Sequence, residues 1–200
     1  MKKILENNKV ILMEAAIIER LRRSHNVTLH QILVNAPLIY NDDGREELGK
    51  IYQEYIDISL GVKTPFLMCT PTWRANQTRV RESNVNPSIN VDAVHFLQEI
   101  RSAQQSDHQL IKIGGQIGCK NDCYKPKEGL SATDAEQPPN LFKRLIGYQA
   151  NASSLDHCDL DGADELKSDH ISDWGNEMLN LNKSYGVKIL GGCCGTGSEH

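Results

Sequence analysis

Short apolar runs alternate with amphipathic stretches along this chain, and that alternation restricts its folds more than any other feature. The runs fall at residues 10–13, 64–70, 110–118, 144–148 and 187–190, the third of them passing into a glycine-rich loop. Short apolar runs bounded by polar or glycine-rich residues read as buried strands. Between them, residues 15–23, 42–60, 91–103 and 171–183 carry apolar side chains at helical spacing, as in Leu48, Ile51, Tyr52, Tyr55 and Ile56. Asp42-Asp43-Gly44 is a helix-start signal, and Gly61 and Gly186 stand where helices should close. Strands alternating with helices predict a parallel α/β protein. Sites in such folds gather at the carboxyl ends of the strands. Here those ends carry Glu14, the polar stretch 71–76, Gly114-Gly115 and Gly191-Gly192-Cys193-Cys194.

Composition narrows the function. Lys plus Arg number 22 against 26 Asp plus Glu, a net charge of −4, and the densest basic stretch is Arg20-Leu21-Arg22-Arg23. A nucleic-acid footprint is therefore not expected. No apolar run approaches the roughly 20 residues of a membrane helix, and the first residues lack a secretory apolar core and cleavage site. The expectation is a soluble cytoplasmic protein with a single domain over residues 1–200. In a reducing compartment its six cysteines point to metal binding, catalysis or burial rather than disulfides.

The sharpest chemistry lies in Gly191-Gly192-Cys193-Cys194-Gly195-Thr196. Small glycines allow two neighbouring sulfurs to face one soft metal such as zinc. The same string also reads as a tight turn with buried thiols, or as a phosphate cradle if a helix begins behind it. Cys69 sits in an apolar run and reads as core. Cys119 and Cys123 are spaced more loosely than the common metal pair. His157, His170 and the acids between 156 and 165 read as solvated loop.

The C-terminal string Ile189-Leu190-Gly191-Gly192-Cys193-Cys194-Gly195-Thr196-Gly197 resembles the end of the homocysteine S-methyltransferase family, the zinc-dependent group that includes betaine–homocysteine methyltransferases. Glu14 after the first strand, Thr70-Pro71-Thr72-Trp73-Arg74-Ala75-Asn76, Gly115-Gln116-Ile117-Gly118 and Tyr148-Gln149-Ala150-Asn151-Ala152 extend the resemblance over most of the chain. It implies a (β/α)₈ barrel, a zinc ion, and methyl transfer from S-methylmethionine or S-adenosylmethionine to homocysteine, giving methionine. Cys193 and Cys194 would be metal ligands, and Glu14, Trp73 and Asn151 would bind substrate. The bland alternatives are a capping acid at Glu14, a packing indole at Trp73 and a local turn at Asn151.

The family's third ligand lies in an Asn-Cys motif, a dipeptide this chain lacks. The middle strands of the family have no counterpart near residues 137–140, and the sequence stops before the family's last helix. A complete barrel takes about 250 residues and this chain has 200. The expected fold is therefore an incomplete TIM-type (β/α)₈ barrel of mostly parallel strands. Open edges of such a sheet would favour a homo-oligomer. The competing expectation is a catalytically impaired, truncated barrel with at most partial zinc binding.

Overall fold

The computed structural model describes residues 2–105, 107–116, 147–153, 155, 165 and 167–200. Its strands are β1 (Ile11–Met13), β2 (Phe66–Cys69), β3 (Ile111–Gly114), β4 (Gly147–Ala150) and β5 (Ile189–Gly192), forming one sheet in the order β3-β2-β1-β5-β4. Every pairing is parallel. Leu12 stands opposite Phe66 on one side and Leu190 on the other, Phe66 opposite Ile111, and Tyr148 opposite Leu190. The fold is thus α/β, as the alternation predicts. The order carries something more: β5 lies beside β1, so each step from β1 to β2, β2 to β3 and β4 to β5 runs in one direction across the sheet. At the two outer strands, Gln116 Nε2 just past β3 reaches Gln149 Oε1 on β4 at 3.4 Å.

Side chains alternate between the two faces of the strands. Phe66, Met68 and Ile111 pack with the helices in the largest apolar cluster. Leu67 and Cys69 instead join Ile11 and Ile189 on the opposite face, with Ile4 and Leu5 against them. Those last two residues explain α1 (Lys2–Asn7), a helix the sequence patterning does not predict. Six residues are too few for a stable helix in isolation, and this one is held against that same face of the sheet. Lys188 Nζ also donates to Leu5 O.

The connections carry α2 (Ile17–Ser24), α3 (Asp42–Gly61), α4 (Gln77–Glu82), α5 (Ile89–Ser102) and α6 (Ile171–Tyr185). Helix α3 begins where Asn41 Oδ1 accepts from Gly44 N at 2.7 Å. It buries Leu48, Ile51, Tyr52, Tyr55, Ile56 and Ser59 along one stripe. Gly61 is its final residue rather than a left-handed cap. The chain turns two positions later, at Lys63 with φ 52°, because the cap residue Val62 still donates back to Ile58 O. Gly186 does close α6 in the left-handed conformation, with φ 70°. Helix α4, also unanticipated, is started by Asn76, whose side chain accepts from Arg79 N at 3.0 Å. The fourth strand lies at Gly147–Ala150, later than the 144–148 expected. Residues 133–137, whose composition also starts like a helix, and Cys119, Cys123, His157 and Cys158 lie outside the described residues.

Two tyrosines of α3 fix the ends of the strands that bear the site. Tyr52 Oη donates to Cys69 O at 2.8 Å, and Tyr55 Oη donates to Ala15 O at 2.6 Å. Tyr52 has no exposed surface. Tyr52→Phe should therefore lower stability by about 1 kcal/mol, the net worth of one buried hydrogen bond. Urea denaturation checks this, and an unchanged midpoint would show that the bond contributes nothing. No helix among the described residues is long and apolar enough to cross a membrane.

Candidate functional site

The carboxyl ends of the strands converge on one cleft. Glu14 follows β1, Trp73 follows β2, Gln116 follows β3, Gln149 belongs to β4, and Cys193 and Cys194 follow β5; all six line it. The cleft is small, about 90 Å³, and opens to solvent. The start of α2 supplies another wall, including Glu19 and Arg22.

Glu14 is 3% exposed. Its Oε2 accepts from Cys69 N at 3.1 Å, and no basic side chain pairs with it among the described residues. Burial lifts its carboxyl from the ordinary value near 4.5 to about 7, against the pull of the backbone hydrogen bonds and the Cys69 thiol. The Cys69 thiol is itself pushed far above its usual range by burial and by the facing carboxyl. Cys69 thus belongs to the core, as its apolar run implies, and also supports Glu14.

The cysteine loop is built from backbone contacts. Cys193 N donates to Ala150 O at 2.8 Å, and Ala152 N donates to Cys194 O at 2.9 Å. Thr196, fully buried, donates through Oγ1 to Cys193 O at 2.5 Å. Gly195 takes φ 76°, where an added Cβ would meet Lys167 O at 2.7 Å, so glycine is required there. Glu19 holds the loop from the side of α2: its Oε2 accepts from Gly195 N at 3.1 Å while pairing with Arg23 at 3.0 Å. Cys193 is exposed and Cys194 buried. The hydrogen bond from Cys194 to the Cys193 sulfur draws the Cys193 thiol down to about 7 and, with burial, holds Cys194 far above the usual thiol range.

Four of the five residues singled out from the sequence, Glu14, Trp73, Cys193 and Cys194, therefore share one cleft. Trp73 is half-buried, with the Arg74 guanidinium 5.1 Å from its ring centre. Asn151 is not among the lining residues. Its Oδ1 accepts from Cys194 N at 3.1 Å, so it acts on the cleft through the cysteine loop. Glu19 escapes a reading of the sequence alone because its partner lies 176 residues away. The one local signal is its place between the buried Ile17 and Leu21 on α2.

Two sulfurs with one drawn toward the thiolate suit a soft metal ion. A catalytic zinc takes three protein ligands, and among the described residues no group of three His, Cys, Asp or Glu side chains is placed to hold a metal. Cys193 and Cys194 are thus two donors of the type zinc takes, with no third grouped beside them among the described residues. Comparison of the chain with known protein families, with curated proteins and with solved structures finds no match.

Proposed function

We propose that the chain is a homocysteine S-methyltransferase-like protein of the incomplete (β/α)₈-barrel type, in which homocysteine accepts a methyl group from S-methylmethionine or S-adenosylmethionine to give methionine. One observation carries this reading. A buried carboxyl with no counter-ion among the described residues and a pair of neighbouring thiols line the same cleft, and a small amino acid bearing an amine and a sulfur complements both. The sheet order supports the barrel, since a last strand paired in parallel with the first is the closure a (β/α)₈ barrel requires.

Within this reading Glu14 receives the substrate ammonium, and pairing with that cation favours its ionised form. Trp73 covers the apolar stem of the ligand. Cys193 and Cys194 would be two ligands of the zinc, and Asn151, Glu19 and Thr196 hold their loop in place. A zinc bound there would supply ionisation of a thiol at neutral pH. The reading places the protein in the cytoplasm, where its thiols stay reduced.

Zinc content and methylation of homocysteine measured on one sample test the proposal. Stoichiometric zinc and methionine formation are expected, and Cys193→Ala should abolish both. Absence of both from the unaltered protein would sink the enzyme. A second reading, a catalytically impaired barrel, draws support from the two sulfurs grouped without a third ligand among the described residues; it predicts homocysteine binding without turnover.

A further inference from the structure

The densest basic stretch of the chain is Arg20-Leu21-Arg22-Arg23, and two of its three arginines are committed to the fold. Arg20 pairs with Glu54 and lies over the Tyr55 ring, 5.3 Å from its centre. Arg23 Nη2 lies 3.0 Å from Glu19 Oε2, the oxygen that also accepts from Gly195 N in the cysteine loop. Arg22 serves a different surface. It lines the cleft, and it is half-buried, so part of its side chain stays accessible.

Helix geometry aims that side chain. Residues 17–19 at the start of α2 form part of the cleft wall, and beyond them only position 22 of the helix returns to it. Residues four apart lie one above the other on the same helix face, so Arg22 shares the face of Ile18. Long helical side chains lean toward the N-terminus and cover the turn before their own Cα. The Arg22 side chain is thereby directed back over Ile18 to the cleft.

Among the described residues Arg22 is the one cationic side chain on the wall. Of the two acids there, Glu19 is paired with Arg23, while Glu14 has no basic partner among the described residues. A carboxyl and a guanidinium thus line one small space without pairing with each other, and a ligand bearing both charges complements them. Arg22 has contacts of its own, but a guanidinium carries five N–H donors and can serve several acceptors at once.

We infer that Arg22 recognises the carboxylate of the bound amino acid, its guanidinium donating to the carboxylate oxygens while Glu14 takes the ammonium. Arginine suits this role because its planar fork can meet a carboxylate with two parallel hydrogen bonds. The assignment rests on the reading of the cleft as an amino-acid thiol site. It makes the cleft selective for a zwitterion over a simple amino thiol.

The test is calorimetric titration of L-homocysteine and of 3-aminopropane-1-thiol, which keeps the amine and the sulfur but lacks the carboxylate. Both are titrated into the full chain and its Arg22→Gln and Arg22→Lys variants. The unaltered protein should bind homocysteine about 10-fold or more tightly than the analogue, the worth of hydrogen bonds between charged groups. Arg22→Gln should lose that preference, its homocysteine affinity falling while the analogue binds as before, which also shows the cleft intact in the variant. Arg22→Lys, which keeps the charge without the fork, should bind homocysteine better than Arg22→Gln. Unchanged homocysteine affinity in Arg22→Gln, an equal loss for both ligands, or an analogue bound as tightly as homocysteine by the unaltered protein would each overturn the assignment while leaving the cleft's function standing. So would an Arg22→Lys variant no better than Arg22→Gln. Failure of the unaltered protein to bind homocysteine would overturn both.

Discussion

Glu14→Gln should flatten the fall in stability that the unaltered protein suffers between acid and mildly alkaline pH. Below about pH 4.5 the carboxyl is protonated in both the folded and the unfolded chain, and its contribution is fully present. As the pH rises, the unfolded chain ionises first, while the buried carboxyl keeps its proton until about pH 7. Stability is lost across that window, because the folded state there binds the extra proton. The loss amounts to about 3 kcal/mol. Glutamine has no proton to lose, and its side-chain oxygen can still accept from Cys69 N. Urea midpoints at pH 5 and pH 8 for both proteins isolate the effect, since other titrating groups cancel in the comparison. Parallel pH dependences would show that Glu14 ionises as easily in the fold as in water. The same variant should lose affinity for homocysteine, having no charge to set against the ammonium. In the unaltered protein at neutral pH, ligand binding should release a proton, read as a binding enthalpy that changes with the buffer.

A larger structural effect is expected at Gly191. A Cβ added there would lie 2.7 Å from Met13 Cβ and 2.9 Å from Glu14 O. Neither neighbour is the tip of a flexible side chain, so β1 and β5 would have to separate. Gly191→Ala should cost about 3 kcal/mol or more, at the upper end of overpacking penalties, and should displace Glu14 from the cysteine loop. Gly175, inside α6, is the control: nothing lies within 4 Å of its added Cβ. There alanine should stabilise by about 1 kcal/mol through helix propensity. Thermal melts of the two variants should move in opposite directions. If both move alike, the close approach of β1 and β5 is not a tight one.

Much of this could be read from the residues in order. The strand-end placement of Glu14, Trp73, Cys193 and Cys194 follows from the alternation of apolar runs and helices, which puts them on one edge of the sheet whatever its order. The order itself could not be read, since nothing in residues 11–13 marks 189–190 rather than another run as their neighbour. The fourth strand was misplaced because its apolar signal, Leu145-Ile146, precedes the residues that pair with β5; Gly147 packs so tightly that a Cβ would lie 2.9 Å from Ile189 Cβ. Asn35, which also lines the cleft, was invisible for a different reason. Its place depends on Val34 adopting a backbone conformation that valine ordinarily avoids. Sequence patterning reads what residues prefer, and strained sites are where preference is overruled.

The pairing of Ile11 with Ile189 has a consequence for how the chain comes to be folded. Contacts between distant parts of a chain form slowly, because loop-closure entropy is lost before the contact repays it. During synthesis at about 5–20 residues per second, β1 emerges on the order of ten seconds before β5. Through that interval Ile11 and the α1 residues Ile4 and Leu5, which meet Ile189 in one cluster, have only part of their final surroundings. The nascent chain therefore carries an exposed apolar seam until β5 has been made. A chaperone that shields residues 4–13 would cover that seam through the interval.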